Sequence, residues 1–281
     1  MSIPSTTKAP PTLLAVFAHP DDESFGPGGT LAKYAAEGVE TYLVTATRGE
    51  RGWGGDPAEY PGLEALGRIR QAELLAAAQV LGLRQVDFLD YIDGDLDRAD
   101  PGQAIARIVA GLRRVRPQVV VTFAPEGAYG HPDHIAISQF TTAAVVCAAD
   151  PEYAPADGAR PHRVSKLYYM VDSREMADLI YATLGDVAME VDGVQRRLVP
   201  WEDWAITTRV DASPYWQTVW QAVRHHRSQL TGGMEQLEHM PEDFHQRVWG
   251  LQTFYRAFSL VNGGRRVETD LFEGLDNLPG S

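Results

Sequence analysis

Short apolar runs alternate with helical patterns along the first half of the chain. Four apolar runs, partly β-branched, predict strands at residues 13–18, 41–45, 86–89 and 119–123. Apolar residues at helical spacing predict helices at residues 30–37, 63–81 and 103–115. Gly38 and Gly82 follow two of these helices and are expected to cap them. Strands that alternate with helices of this length form right-handed βαβ units, so we expect an α/β fold with a mostly parallel sheet.

The second half of the chain is less regular. Three elements are predicted there, namely a strand at residues 166–171, a hairpin at 189–199 turning at Asp192-Gly193, and a helix at 214–230. The helix starts with an aromatic stripe of the kind that usually packs in a core, formed by Tyr215, Trp216 and Trp220. Residues 149–161 are rich in Pro, Asp and Ala and are expected to form an exposed loop. We expect one α/β domain over residues 1–281, with a Rossmann-like core at about 12–150 and an irregular, pocket-shaping C-terminal extension at about 160–270.

Two polar loops follow predicted strands. His19-Pro20-Asp21-Asp22-Glu23 comes directly after the first strand, and Tyr129-Gly130-His131-Pro132-Asp133-His134 follows the fourth. Ligands of such sheets bind beyond the carboxyl ends of the strands, so both loops are expected to open on the same edge. The sequence therefore predicts one site built from both loops.

The composition of these loops favours a divalent metal. Three carboxylates and an imidazole crowded at one strand end repel one another or lose charge unless a cation compensates. The spacings H-x-x-D at His19 and Asp22 and H-x-x-H at His131 and His134 allow side chains to face one centre. Two histidines and a carboxylate are a common hydrolytic zinc set and equally the ligand set of Fe(II) oxygenases. Residue types alone do not distinguish a zinc hydrolase from an Fe(II) oxygenase.

The overall composition narrows the function classes. A net charge of −13 argues against nucleic acid or an anionic membrane as the main partner, because both require a cationic face. The single cysteine, Cys147, excludes an intramolecular disulfide and is expected to be a buried structural thiol. No apolar run approaches a membrane span and no signal peptide is visible, so we expect a cytoplasmic protein. The oligomeric state stays open, a homo-oligomer included.

The motifs resemble the zinc-dependent N-deacetylases of the LmbE-like/PIG-L family. The resemblance rests on Ala18-His19-Pro20-Asp21-Asp22-Glu23 with Gly28-Gly29, Thr47-Arg48-Gly49-Glu50, Arg70 with Glu73, and Gly130-His131-Pro132-Asp133-His134. It spans residues 12 to about 145, and a weaker echo follows at His226 with Ser228-Gln229. It implies a hydrolase that removes an acyl group, most simply acetyl, from an N-acylated amino-sugar conjugate.

The resemblance also implies a role for individual residues. The ligands of Zn²⁺, or of Fe²⁺ in its place, would be His19, Asp22 and His134. Asp21 would be the general base toward water, and His131 would stabilise or protonate the tetrahedral intermediate with Asp133 orienting it. Tyr129 would reach the oxyanion, and the substrate contacts would be Arg70 and His226.

Several alternatives accompany this interpretation. The same family includes amidases of thiol S-conjugates, and a non-haem Fe(II) oxygenase would use the same ligands, although those enzymes usually adopt a jelly roll. A sugar-binding protein with a structural metal would not need Asp21 as a base. Asp133 could instead cap the helix after Pro132. Arg48, Glu50 and Arg51 are expected to form loop-ordering ion pairs, and the remaining histidines are expected at the surface, namely His162, His225, His239 and His245.

Overall fold

The computed structural model describes residues 9–153, 159–186, 188–231, 234–262, 264 and 266–275 of the chain. Its strands come from both halves of the sequence. They are β1 (Thr12–Phe17), β2 (Glu40–Thr47), β3 (Gln85–Tyr91), β4 (Val119–Phe123), β5 (Lys166–Val171), β6 (Met189–Val191), β7 (Val194–Arg196), β8 (Thr208–Asp211) and β9 (Leu251–Ser259).

Helices connect most of these strands. They are α1 (Asp22–Phe25), α2 (Gly28–Ala36), α3 (Leu63–Leu81), α4 (Pro101–Val115), α5 (Gly127–Gly130), α6 (Pro132–Ala149), α7 (Arg174–Leu184), α8 (Trp216–Val223) and α9 (Glu242–Gly250). Short 3₁₀ turns occur at Pro57–Glu59, Leu96–Arg98, Asp203–Ala205, Ser213–Tyr215 and Met234–His239.

A seven-stranded sheet has the strand order β3-β2-β1-β4-β5-β9-β8. The strands from β3 to β5 pair in parallel, whereas β9 pairs antiparallel with both β5 and β8. Every residue of β1 and β4 is buried, as expected for central parallel strands covered on both faces. The predicted fold class, an α/β fold with a mostly parallel sheet, is confirmed. The single-domain description stays a prediction, although strands from both of its parts share this sheet.

Most predicted elements are confirmed, and the predicted helix over residues 214–230 is wrong in length. Helix α3 and strands β4 and β5 have their predicted bounds, and Gly82 caps α3 with φ +76°. Helix α8 instead ends at Val223. The chain turns there because the backbone N–H and hydroxyl of Ser228 bond to Glu73, at 2.9 and 2.7 Å, in place of a further helical turn. Part of the predicted loop at 149–161 lies outside the described residues.

Two of the histidines expected at the surface are buried. His162 is 9% exposed, with Nε2 at 2.8 Å from the carbonyl oxygen of Pro117. His245 is 3% exposed and stacks on Trp220, with ring centroids 4.3 Å apart. In the aromatic stripe, Trp216 and Trp220 pack against a second apolar cluster and Tyr215 packs against the main core, so the predicted packing role is confirmed. Cys147 is only half-buried, where full burial was expected, and it packs against the main core.

A buried polar cluster fastens the C-terminal segment to the sheet. Glu268, 1% exposed, accepts hydrogen bonds from Lys166 Nζ at 2.8 Å and from Tyr168 Oη at 2.6 Å. Burial raises the pKa of Glu268, but these donors outweigh it and lower the pKa to about 2. The segment near residue 268 is therefore held by charge as well as by apolar packing.

Candidate active site

The loops after β1 and β4 meet at one edge of the sheet, as predicted. His19 lies two residues after β1, and His134 lies in the first turn of α6. His19 Nδ1 is 3.1 Å from His134 Nε2. Of the two Asp22 oxygens, Oδ1 lies 3.4 Å from His134 Nε2 and Oδ2 lies 3.8 Å from His19 Nδ1. All three side chains are more than nine-tenths buried.

These three donors fit a divalent metal ion. Ligand atoms about 2.0–2.1 Å from a tetrahedral zinc lie roughly 3.4 Å apart, close to the observed separations. Burial raises the pKa of Asp22 to about 7, a direction that a bound cation would reverse. Within the described residues, two groups of three offer one donor atom each with all three atoms within 4.8 Å of one another, namely His19 with His131 and His134, and His19 with Asp93 and Asp133, and neither group includes Asp22.

The opposite nitrogen of His19 faces two carboxylates. Its Nε2 lies 3.1 Å from Asp93 Oδ1 and 3.2 Å from Asp133 Oδ2. Burial lowers the pKa of His19, but these acids outweigh it and raise the pKa well above its ordinary value. A bound cation would oppose this rise, and the one proton left on the ring would stay on Nε2 beside the carboxylates, with Nδ1 directed at Asp22 and His134 as in metal-binding histidines.

Asp93 was missed by the sequence reasoning. It lies two residues after β3, whose carboxyl end shares the sheet edge with those of β1 and β4. In the sequence, Asp93-Gly94-Asp95 begins four residues after the strand predicted at 86–89, so an acid near that strand end was the signal that could have found it. Burial raises the pKa of Asp93, yet the adjacent His19 dominates and lowers it.

Asp133 does not cap its helix. The N-cap of α6 is His131, whose Nδ1 accepts the backbone N–H of Asp133 at 3.1 Å. The Asp133 carboxylate instead accepts the N–H groups of Gly94 at 2.7 Å and Leu96 at 3.1 Å and contacts His19. The suggested capping role is therefore wrong, because the carboxylate points back toward the loop after β3. Its contact with His131 is made by the backbone.

Asp21 lies beside the donor set in a strained conformation. Its φ is +114° and ψ is −27°, in a region that non-glycine residues rarely adopt. Its carboxylate is 20% exposed and accepts a hydrogen bond from Arg70 Nη2 at 3.1 Å. Burial raises the pKa of Asp21, and the Arg70 guanidinium opposes this. Asp21 is the partly accessible member of the acidic pair, whereas Asp22 is enclosed.

Arg70 is buried and supports the glycine-rich loop that contains Gly49 and Gly52. Its Nη atoms donate to the carbonyl oxygens of Gly49 at 2.9 Å and Pro20 at 2.6 Å and to Asp21. A Cβ added to Gly52 would lie 2.1 Å from Arg70 Nη1, which explains a glycine there. The predicted substrate contact stays a prediction, since both Nη atoms already bond to the protein. The nearby ion pairs predicted for this loop join Arg48 to Asp90 and Arg51 to Asp95.

Tyr129 and His131 border the donor set on the α6 side. The Tyr129 ring centroid is 5.2 Å from that of His134 and 5.9 Å from that of His131. Burial raises the pKa of Tyr129, so its hydroxyl keeps its proton. Burial, with the neighbouring His19, lowers the pKa of His131 to about 4. Both groups are neutral near pH 7.

His226 is fully buried rather than lining open space. Its Nε2 lies 2.8 Å from Glu23 Oε1, and both residues are 0% exposed. The residues that follow it are also engaged, with Ser228 bonded to Glu73 and Gln229 donating to the carbonyl oxygen of Gly52 at 2.8 Å. The predicted contact of His226 with substrate stays a prediction.

The sequence is similar to that of known proteins. Residues 14–145 match the PIG-L family, described as GlcNAc-PI de-N-acetylase. A 1D-myo-inositol 2-acetamido-2-deoxy-alpha-D-glucopyranoside deacetylase of Kineococcus radiotolerans is 36% identical over 95% of this chain and 83% of its own length. The chain belongs to the PIG-L family.

Solved structures agree on the fold of this PIG-L protein. The conserved protein TT1542 of Thermus thermophilus superposes with a TM-score of 0.63 and 29% identity, over 89% of this chain and 96% of the other. A 4-carboxy-2-hydroxymuconate hydratase of Pseudomonas putida superposes with a TM-score of 0.62 at 19% identity, covering 90% of this chain and 99% of the other. That hydratase shows that the fold alone does not determine the reaction.

Family membership confirms several predictions. The protein is a hydrolase of the de-N-acetylase family that acts on an amide C–N bond, and the suggested oxygenase and binding-protein alternatives are not favoured. A cluster capable of holding a metal is present, as expected for this family. None of the helices in the described ranges has the length and apolar character needed to cross a membrane. The roles of single residues stay predictions.

Proposed function

We propose that the protein is a Zn²⁺-dependent N-deacetylase of an N-acetylglucosaminyl conjugate. The first substrate to test is 1D-myo-inositol 2-acetamido-2-deoxy-α-D-glucopyranoside, the compound named for a relative that aligns with 95% of this chain. The observation that carries the proposal is the convergence of His19 Nδ1, His134 Nε2 and the Asp22 carboxylate beside the partly exposed Asp21.

The metal would be held by His19, Asp22 and His134. When bound, zinc lowers the pKa of a coordinated water to about 7 and polarises a carbonyl group. Asp93 and Asp133 keep the His19 proton on Nε2, so that Nδ1 is the coordinating nitrogen. Three protein ligands, where a structural zinc site has four, would leave one coordination position of the metal for water or substrate.

Asp21 is suited to the general-base role. Hydrolysis adds water across the amide C–N bond, so a proton must leave the attacking water and a proton must be delivered to the departing nitrogen as the C–N bond breaks. The Asp21 carboxylate is the accessible acid next to the donor set, and Arg70 fixes its orientation. A carboxylate in reach of both atoms takes the first proton and returns it to the amine, a contribution of about 10²–10⁴-fold.

His131 and Tyr129 are suited to stabilising the developing oxyanion. His131 Nδ1 accepts the Asp133 N–H, so the ring carries its single proton on Nε2 and remains neutral. A ring nitrogen of His131 lies within 4.8 Å of those of His19 and His134. The Nε2–H of His131 and the protonated hydroxyl of Tyr129, whose ring centroid is 5.2 Å from that of His134, are the two neutral donors that we assign to the developing oxyanion.

A substrate panel tests the proposal. The zinc-loaded and chelator-treated protein is incubated with the inositol conjugate, with free N-acetylglucosamine and with an S-conjugate amide, and free amine and acetate are quantified. We expect equal amounts of amine and acetate from the inositol conjugate, lost on chelation and restored by zinc. Preferred cleavage of the S-conjugate would instead assign the amidase activity. No amine from any compound at full zinc occupancy would reject the proposal.

A further inference from the structure

A buried ion pair of Glu23 and His226 contacts the backbone N–H of Asp21. The Glu23 carboxylate and the His226 ring are both 0% exposed and lie 2.8 Å apart, and neither belongs to the donor set described above. We propose that Glu23 and His226 are positioning residues that hold Asp21 in its working conformation. This inference rests on the proposed function, in which Asp21 is the general base.

The backbone of Asp21 requires such support. A residue with a Cβ at φ +114° and ψ −27° is sterically disfavoured and persists only where its surroundings hold it. Relaxation of φ to negative values would swing the carboxylate away from Arg70 and from the edge of the donor set. The conformation of this one residue therefore decides where the proposed base lies.

Three groups hold Asp21 from different sides. Its N–H donates to Glu23 Oε2 at 3.0 Å, and its carbonyl oxygen accepts the N–H groups of Ser24 and Phe25, each at 2.9 Å. Its carboxylate is bound by Arg70 at 3.1 Å. The two backbone donors belong to the helical turn that follows, and Glu23 supplies the acceptor for the N–H.

Glu23 itself has little freedom. Its Oε1 accepts hydrogen bonds from Ser24 Oγ at 2.5 Å and from His226 Nε2 at 2.8 Å, which leaves Oε2 directed at the Asp21 N–H. A carboxylate without solvent access cannot rotate away from these donors without leaving a charge or donor unpaired. The side chain is thereby a rigid link between His226 and the Asp21 backbone.

The partner of Glu23, His226, comes from the C-terminal third of the chain. His226 lies on the turn after α8, and the same turn is fixed through Ser228 to Glu73 and through Gln229 to Gly52, which lies above Arg70. One turn thus contacts both supports of Asp21, the Glu23 carboxylate and the loop around Arg70. The turn around His226, which the sequence connects to the family only by a weak resemblance, would thereby position the proposed base.

Paired substitutions separate positioning from charge. Glu23→Gln keeps the length and an acceptor for the Asp21 N–H but removes the charge, whereas Glu23→Asp keeps the charge but is one methylene too short. We expect Glu23→Asp to lower kcat by about 10²-fold with KM changed less than about threefold, because misplacement of about 1 Å costs this much. Glu23→Gln is expected to stay within about tenfold of the wild type. Zinc content should be unchanged in both. Equal loss in both, or loss in Glu23→Gln only, would overturn the proposal.

A double-mutant cycle tests whether the effect passes through Asp21. On an Asp21→Asn background, Glu23→Asp should lower kcat by less than about threefold more, since effects through one shared group are not additive. The full loss repeated on that background would overturn the proposal. His162→Gln is the matched control, a buried histidine bonded to Pro117 and remote from this network, and its kcat should be unchanged.

Substitutions of His226 and a crystal structure of the slow variant test the same positioning role. If Glu23→Asp does not fold, His226→Ala should lower kcat, and His226→Gln, which places a donor where Nε2 lies, should restore it. A crystal structure of the slow variant should show Asp21 outside the left-handed region, and φ retained near +114° with the carboxylate on Arg70 would overturn the proposal. Normal turnover of Asp21→Asn would reject the base assignment in the proposed function, and this structural readout would still decide the positioning claim.

Discussion

Replacement of Asp93 by Asn should weaken zinc binding without removing it. Asp93 accepts from two donors, His19 Nε2 at 3.1 Å through Oδ1 and the backbone N–H of Arg51 at 3.1 Å through Oδ2. Asparagine has one acceptor oxygen, so its amide NH₂ must face one of these donors. If the NH₂ faces His19, the imidazole proton moves to Nδ1 and blocks the lone pair that would bind the metal.

The size of the effect is limited by Asp133. Its Oδ2 lies 3.2 Å from the same His19 nitrogen and can still hold the proton there. Loss of one of two such partners is expected to lower metal affinity by about 10–100-fold. That range corresponds to about 1.4–2.8 kcal/mol of binding free energy.

Competition with a chromophoric zinc chelator measures this dissociation constant directly. Asp95→Asn is the matched control, because Asp95 lies on the same loop but pairs with Arg51 and is 33% exposed. We expect its zinc affinity to match the wild type. Equal affinities for wild type and Asp93→Asn, in proteins of equal thermal stability, would refute the proposed orientation of His19.

Three other changes probe the ligand, the base and the buried cluster of the C-terminal segment. His134→Ala should lose bound zinc in elemental analysis, because it removes one of the three converging donors, and full zinc content would contradict its assignment. Asp21→Asn should keep zinc and lower kcat by about 10²–10⁴-fold in the amine-release assay, whereas near-normal turnover would exclude it as base. Glu268→Gln should cost about 3 kcal/mol of unfolding free energy at pH 7, since its pKa is about 2 in the folded protein, against an ordinary value of 4.5. A depressed pKa stabilises the fold above about pH 4.5, so the difference from wild type in urea titrations should shrink as the pH falls from about 4.5 toward 2, and a pH-independent difference would contradict this cause. Lys166, whose own pKa burial lowers, offsets part of this gain.

Periodicity and strand endings were enough to predict that the loops after β1 and β4 meet at one edge of the sheet. A buried parallel strand directs the residue at its carboxyl end toward one sheet edge, whatever the rest of the fold does. His19 and His134 are 115 positions apart, yet their ring nitrogens lie 3.1 Å from each other because each follows a central strand. The bounds of α3 were likewise readable from its apolar spacing and from Gly82. These are local properties that the sequence alone carries.

The roles of the neighbouring acids depended on tertiary structure. Asp21 and Asp22 are neighbouring residues of the same type, yet in the fold Asp21 has φ +114° and a carboxylate that is 20% exposed and bonded to Arg70, whereas the Asp22 carboxylate is enclosed and accepts the N–H groups of Ala18 and His19. Asp93 joins the site through the third strand, and Glu23 acquires a partner 203 positions away in His226. Such pairs follow no spacing rule, because the fold decides which distant side chains share a buried volume.

Tertiary contacts also explain why α8 ends early and why His162 and His245 are buried. Helix propensity would carry α8 past Val223, but hydrogen bonds from Ser228 to Glu73 stabilise a turn instead. A histidine among polar neighbours looks exposed in sequence, while a single acceptor such as the Pro117 carbonyl is enough to hold it inside. The sequence by itself determined the α/β sheet and the two loops that meet at its edge. Tertiary contacts decided which of their carboxylates are buried, paired or free to act, because burial and charge pairing exist only once distant segments are packed together.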